Sequence, residues 1–358
     1  MGDISGNQAR QLSEALRDAF LPTALDELLF YALDVRREDV TMADDYRTRV
    51  FQLIRKADAE GWVFDLVVAA RDARPRKAGL QAIAAELGLG VAPASLERII
   101  RESVPFVDVS RWRTRLGALE NQVCRVEIRD GPQVIFGTGF LVAPDLCLTN
   151  HHVVKQLIDG GAEPTQTRLR FDYRRAADGT VVNEGTLFPL ADDWLVAARP
   201  LSRADLRADV EGPLPSTDEL DFALLRVQDV PGEARIGRAD LVGGSPSRGW
   251  VDRVASGGFE PDNPLFLLQH PQGDPLKLGI GQSLGLNANA TRLRHAVNTE
   301  PGSSGSPCFN AQLELVGLHH AGDPNFDPTH KPTFNSAIPI RAILDYLAKA
   351  SIGVDIFP

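Results

Sequence analysis

Proline and glycine are distributed in a step. Residues 1–90 hold 2 Pro and 6 Gly, whereas residues 91–358 hold 22 Pro and 25 Gly. Both residues punctuate regular structure, Pro by fixing φ and removing a donor, Gly by opening left-handed turns. One uniform fold does not produce such a step. The pattern predicts a helical unit followed by a turn-rich β unit. Hydrophobic residues make up 43% of the chain and charged residues 24%, enough apolar surface for a core and too little charge for wholesale disorder.

Residues 8–88 carry apolar stripes at helical spacing. Leu12, Leu16 and Phe20 form the first, Leu25, Leu28, Leu29 and Leu33 the second, and Tyr46, Val50, Phe51, Ile54 and Ala57 the third. Gly61 breaks the third; Trp62, Leu66 and Ala69 carry a fourth, and Lys77–Leu87 a fifth that Gly88 closes. Five or six short helices in this length make a compact bundle. The bundle has no His or Cys and its acids are scattered, so it presents no chemistry. We therefore divide the chain into a helical domain at 1–90, a connector at 91–115 and a β domain at 116–358. A helix around Ser95–Ser103 is expected in the connector. Its Arg111, Arg113 and Arg115 read as a solvated face or as partners for the acidic bundle.

From about residue 116 the apolar period becomes two. VCRVEI, VIFGTGFLV, CLTNHHVV, LRFDY, FALLRV, LFLLQH, LRHAVN and LELVGLHH are short runs separated by Gly, Pro, Asn and Asp. Eight or more such runs predict an all-β sandwich or barrel. Ile340–Ala350 returns to helical spacing.

The net charge is −10, divided as 12 basic against 15 acidic residues before residue 90 and 26 against 33 after it. Neither half offers the basic face that nucleic acid or an anionic membrane needs, so neither is expected as a partner. No apolar run approaches the ~18–20 residues that span a bilayer. The N-terminal segment lacks the basic and apolar regions of a secretory signal, and Ser5 stands one residue early for N-myristoylation. Three cysteines, Cys124, Cys147 and Cys308, read as small buried apolar residues in a reducing cytoplasm.

Three motifs stand in order: GTGFLVAPDLCLTNHHVV (137–154), DELDFALLRV (218–227) and NTEPGSSGSPCFN (298–310), the last followed by LELVGLHHAG (313–322). Gly302 and Gly305 flank Ser304 in a tight turn whose backbone N–H groups can converge on one point. A serine hydroxyl needs a base to act as a nucleophile, and His152 can supply one. An aspartate at the start of an apolar strand is costly unless partnered, and Asp221 is such a residue. His151 and Asp218 stand beside these two as alternatives, as Ser303 does beside Ser304.

At these residues the chain resembles the chymotrypsin-like (trypsin-like) serine peptidases. TNHHV is similar to their TAAHC segment, DFALL to D-[IF]-A-L, and GSSGSP to GDSGGP. The resemblance spans about residues 116–350 and implies a double β-barrel with His152, Asp221 and Ser304 as catalytic residues. It also implies an oxyanion hole from the N–H groups of Gly302 and Ser304, with no cofactor and no metal. Where many secreted members have Cys after the histidine, this chain has Val153. Where zymogens have Asp before the nucleophile it has Ser303, so activation by N-terminal trimming is not expected. TEPGSSGSP is closer to the bacterial glutamyl-endopeptidase branch, which implies an acidic P1 preference read by His319 and Thr299. His320 is expected to face away. A zinc set of His319, His320 and His330 lacks a Cys or acid to complete it. The long interval between His152 and Asp221 suggests an insertion at 196–217, a lid or docking loop.

LSEALRDAF and AEGWVFDLVVAARDARP resemble the effector-associated domain type 1 of bacteria, death-domain-like helical adaptors. This resemblance implies recruitment by a protein with a matching domain, in a signalling or antiviral defence system, with a protein or peptide as substrate. A silent protease-like scaffold that only binds partners is the competing expectation. The fold class is thus multi-domain α + β: an all-α bundle, then an all-β double barrel with a C-terminal helix.

Overall fold

The computed structural model describes residues 4–89, 104, 106–175, 181–207, 213–236, 246–324, 331–350, 352–353 and 356–357. The chain separates into two compact units, Met1–Ile100 and Arg101–Pro358.

The first unit contains α1 (Gly6–Ala19), α2 (Pro22–Leu33), α3 (Arg37–Val40), α4 (Tyr46–Glu60), α5 (Val63–Ala73) and α6 (Ala78–Glu86). The boundaries follow local chemistry. Ser5 and Gln8 form a reciprocal capping box at the start of α1, and Asp45 accepts the Thr48 N–H at the start of α4. Gly61, in the left-handed region at φ 79°, ends α4. Leu12, Leu16, Leu25, Val50, Leu53, Ile54, Ala57, Leu66, Val67, Ala70 and Leu80 fill the core. Two expected core positions differ. Phe51 is exposed and Leu53 takes its place, and Ala70 is fully buried where Ala69 packs only partly against the core. In each case the 3.6-residue period selects the neighbour that continues the buried stripe.

The second unit opens with α7 (Val109–Gln122), capped by Asp108. It begins inside the expected connector and runs beyond it. Trp112 donates its indole N–H to Ala311 O at 3.0 Å, and Leu119 is fully buried. Arg115 pairs with Asp252 of the same unit at 2.6 Å. The helix expected at 95–103 lies outside the described residues.

Two closed six-stranded barrels follow. β1 (Val123–Asp130), β2 (Gln133–Leu141), β3 (Leu146–Thr149), β4 (Thr167–Phe171), β7 (Thr186–Arg199) and β8 (Phe222–Val227) build the first, in the order β1-β2-β3-β8-β7-β4. Helix α8 (His151–Ile158) joins β3 to β4, and β5 (Arg174–Arg175) pairs with β6 (Val181–Asn183) as a separate ribbon. The second barrel comprises β9 (Pro264–Gln269), β10 (Lys277–Leu286), β11 (Leu293–His295), β12 (Pro307–Phe309), β13 (Leu315–Gly322) and β14 (Asn335–Pro339), ordered β10-β11-β14-β13-β12-β9. Helix α9 (Ile340–Lys349) follows. Closure leaves neither sheet an open edge. Phe140, Phe222 and Leu224 of the first barrel share one buried cluster with Phe309, Leu318 and Ile338 of the second, and Ile343 and Leu347 of α9 join it. All three cysteines are buried thiols, with Cys124 and Cys147 Sγ atoms 3.8 Å apart.

The architecture is the expected helical bundle followed by a double barrel and terminal helix, with differences in detail. The HHVV run is helical, because Asn150 ends the extended backbone and α8 starts at His151. Residues 196–199, expected in an insertion, complete β7. Arg203–Leu206 forms a short 3-10 turn, and 208–212 lies outside the described residues. Among the described residues no helix is long and apolar enough to cross a membrane.

Candidate active site

The site is assembled from both barrels. α8 supplies the first component. The first N–H groups of a helix lack internal partners, and here the His152 N–H donates to Asp221 Oδ1 at 3.0 Å. The His152 side chain turns to the same carboxylate, with Nδ1 2.7 Å from Asp221 Oδ2. His152 is about one-third exposed while Asp221 is fully buried. Backbone and ring therefore grip the two oxygens of one carboxylate, which fixes the rotation of the imidazole.

Asp221 precedes β8 in the left-handed region, at φ 40°, a conformation that short polar Asp tolerates better than most residues. Its N–H donates to Pro200 O at 3.1 Å and its carbonyl accepts from Asn150 Nδ2 at 2.9 Å. Burial alone would push this carboxyl upward. The hydrogen bonds from His152 and His320 outweigh burial and hold it below the usual carboxylate range. The group is thus an anion at neutral pH. Of the alternatives, Asp218 is exposed, and His151 has a buried Nδ1 without a hydrogen-bond partner among the described residues.

The second barrel supplies the serine turn. Gly302 and Gly305 have φ of 97° and 90°. A Cβ at Gly302 would lie 2.6 Å from His270 O, and one at Gly305 only 1.9 Å from Thr138 O. Space and backbone conformation both demand glycine at these two positions. Ser303 is buried, with its hydroxyl accepting the Glu300 N–H at 3.2 Å, so it is spent inside the turn. Ser304 is half-buried, and its Oγ makes a long 3.4 Å bond to His320 O. Within the turn the amides of Ser303, Gly305 and Ser306 donate to backbone carbonyls. Among the described residues, those of Gly302 and Ser304 do not. Two unengaged amides beside a glycine-framed serine can receive an oxyanion.

Thr138 of β2, in the GTGF segment, sutures the two barrels. Its N–H donates to Ser304 O at 2.8 Å and its Oγ1 to Gly302 O at 2.8 Å. Its Oγ1 also accepts the His270 N–H at 3.1 Å, and its carbonyl accepts from Thr149 Oγ1 at 2.7 Å. Sequence reasoning missed Thr138, since no local pattern marks a threonine whose partners across the seam lie more than 130 residues away.

His319 and His320 follow each other on β13 and point to opposite faces, yet both are buried. His319 Nδ1 lies 3.3 Å from His295 Nε2 on β11, with the rings edge to face. No hydrogen bond joins it to Thr299, which is half-buried, among the described residues. His320 does not face away as expected; its Nδ1 is 3.2 Å from Asp221 Oδ2. The register of β13 against β14 shifts between His319 and Ala321, so simple alternation does not place His320, whose ring lies against Asp221 and Asp205 of the first barrel. Burial, then the neighbouring His295 and His320, keeps His319 well below its ordinary range. His330 lies outside the described residues, and no cluster of three or more His, Cys, Asp or Glu suited to a metal occurs among the described ones.

A double barrel with a polar site at the seam defines a class, and the comparisons name it. Residues 137–318, just over half of the chain, match the trypsin-like peptidase domain, and residues 2–88 match effector-associated domain 1. The chain belongs to the trypsin-like peptidase family. It is 26% identical over 284 residues to an uncharacterized protein of Sinorhizobium fredii, covering 75% of this chain and 38% of that one. It is 26% identical over 227 residues to a probable serine protease of Lysobacter enzymogenes, covering 62% and 33%. The chain thus spans about a third of the length of these curated relatives. Similar solved structures include the active form of the Rv3671c protease from M. tuberculosis, at 17% identity, TM-score 0.43 and coverage of 73% of this chain and 95% of that one. The serine endoprotease from Yersinia pestis shows 16% identity, TM-score 0.44 and coverage of 69% and 68%.

Two outcomes follow from this geometry. Thr138→Val keeps the side-chain shape but strands Gly302 O and the His270 N–H. Each unsatisfied buried group costs about 1–3 kcal/mol, so the urea midpoint of the second unit should fall by a corresponding amount. The second concerns acid. Burial holds His270 and His295 neutral down to about 4, whereas an unfolded histidine takes up its proton near 6.5. Between these values the unfolded chain binds more protons, so stability should decline as pH falls from about 6.5 toward 4. Each such histidine contributes a slope of up to about 1.4 kcal/mol per pH unit. Urea titrations across this range should show the decline, and His270→Asn should flatten it.

Proposed function

We propose that this chain is a serine endopeptidase in which Ser304 is the nucleophile, His152 the base and Asp221 its orienting anion. The 2.7 Å contact between His152 Nδ1 and the buried Asp221 carboxylate carries the reading. An ionised Asp221 accepts the Nδ1–H, which leaves Nε2 of His152 as the free acceptor. Ser304 Oγ attacks the scissile carbonyl and its proton passes to His152 Nε2. The imidazolium that forms is stabilised by Asp221. The developing oxyanion is received by the N–H groups of Gly302 and Ser304. His152 then protonates the leaving amine, and water repeats the sequence on the acyl-enzyme.

His319 and Thr299 are the proposed readers of an acidic P1 side chain. A neutral imidazole and a hydroxyl both offer a donor to a carboxylate. The His295 contact supports this reading, because it fixes the ring of His319 without adding a negative charge. The effector-associated domain recruits the protease to a protein with a matching domain. In this reading the chain is a cytoplasmic effector in a bacterial signalling or defence system, and its substrate is a protein or peptide.

Fluorophosphonate labelling of the full chain should modify Ser304, and Ser304→Ala should abolish labelling and lower peptide hydrolysis by several orders of magnitude. An unlabelled wild type, with or without a recruiting partner, would instead identify a binding scaffold. Profiling on a peptide library should show His319→Ala losing cleavage after Glu and Asp roughly ten-fold or more relative to other residues. A uniform loss would assign His319 to structure alone.

A further inference from the structure

The Asp221 carboxylate has a second imidazole partner that the triad does not require. His320 Nδ1 is 3.2 Å from Oδ2, the oxygen that also meets His152. Its ring is fully buried, and Nε2 has no hydrogen-bond partner but faces Asp205 Oδ1 at 3.9 Å. Asp205 is itself pinned by Arg292 through bonds of 2.9 and 2.6 Å, and Arg292 also donates to Glu219 O, two residues before Asp221, at 2.7 Å. The backbone of His320 meanwhile receives the Ser304 hydroxyl at 3.4 Å. A single residue thus touches both the anion of the first barrel and the serine of the second.

We propose that His320 is a positioning residue for the peptidase reaction: a neutral Nδ1–H donor that fixes the Asp221 carboxylate, held in place behind it by the Asp205–Arg292 pair. Oδ2 is ionised and can only accept, so the bond requires the proton on His320 Nδ1. The titratable and charged groups around the ring are Asp221 before β8, Asp205 on the 3-10 turn, Arg292 before β11, and His295 and His319 on β11 and β13, while His152 on α8 shares Asp221 Oδ2 with it. A neutral His320 draws less on the charge of Asp221 than a cationic one would, and so leaves more of it for the His152 cation formed during acylation. A protonated one would share that charge and weaken the base. Arg292 is bonded to Asp205 at 2.9 and 2.6 Å, and its charge favours the neutral form of His320.

The inference rests on the proposed role of Asp221, and its first test needs no turnover. In the full chain labelled with 15N-histidine, His320 should be neutral at pH 7 with its proton on Nδ1. A proton on Nε2, or on both nitrogens, overturns the proposal whether or not the protein is a peptidase. Kinetics form the second test. His320→Leu removes the donor, and kcat should fall roughly ten- to hundred-fold with KM nearly unchanged. The acid limb of the kcat/KM profile should move to higher pH, because Asp221 with one donor fewer pulls harder on the His152 cation. His320→Asn sets an amide N–H where Nδ1 stood, and should restore both kcat and the limb. Equal losses in the two variants, or a leucine variant with wild-type kcat, overturn the proposal. If the leucine variant does not fold, the asparagine variant and the tautomer decide. An asparagine variant that does not fold also counts against it, since one donor would then not be what the position supplies. Failure of the wild type to label with fluorophosphonate would sink the peptidase reading and leave the tautomer result standing.

Discussion

The suture at Thr138 governs the site. His152 and Asp221 belong to the first barrel, Ser304 to the second, and nothing in either barrel alone sets the distance between them. Thr138 does so with three hydrogen bonds to the second barrel, two of them to the serine turn, and a fourth from Thr149 ties it to its own barrel. The turn is held so close to β2 that Gly305 has no room for a side chain. Apolar packing shared by Phe140, Phe222, Phe309 and Leu318 brings the barrels together. That packing is non-directional. The directional bonds of Thr138 supply the register that chemistry between two barrels needs.

Burial then determines the charge states around this seam. Asp221 stays ionised because hydrogen bonds from two histidines overcome its burial. His270, His295 and His319 have no comparable compensation and stay neutral. The site therefore sets one fixed anion among neutral rings, with His152 partly open to solvent. This distribution suits a base that must gain a proton transiently.

Much of this was legible in the sequence, and the rest was hidden for identifiable reasons. The Pro and Gly step, the heptad-like leucine stripes and the alternating runs located the bundle and most strands. The three motifs drew attention to residues that the fold brings together. Strand β7 escaped because TLFPLADDWLVAAR contains Pro189, Asp192 and Asp193, which usually end strands, while the structure absorbs them in irregular pairing between Leu190 and Leu195. β10 escaped through its glycines, and β12 and β14 through shortness. The contribution of His320 was misread because one strand cannot reveal what covers its outer face. The Asp205–Arg292 pair joins positions 87 residues apart, and no local spacing announces it.

The carboxylate of Asp221 accepts three N–H groups: the His152 amide on one oxygen, and the His152 and His320 rings on the other. That leaves little chemical latitude at this position. An amide in its place could satisfy the helix end but would present either a donor or an overcrowded neutral oxygen to two rings that both donate. Those rings would have to exchange tautomers, and His152 would then lose the free Nε2 that the proposed base needs. A glutamate would reach too far from a backbone already held in a left-handed bend. Loss of this one side chain would therefore disturb helix α8 and two imidazoles together, so its removal is a rearrangement of the whole polar seam and a poor measure of charge alone.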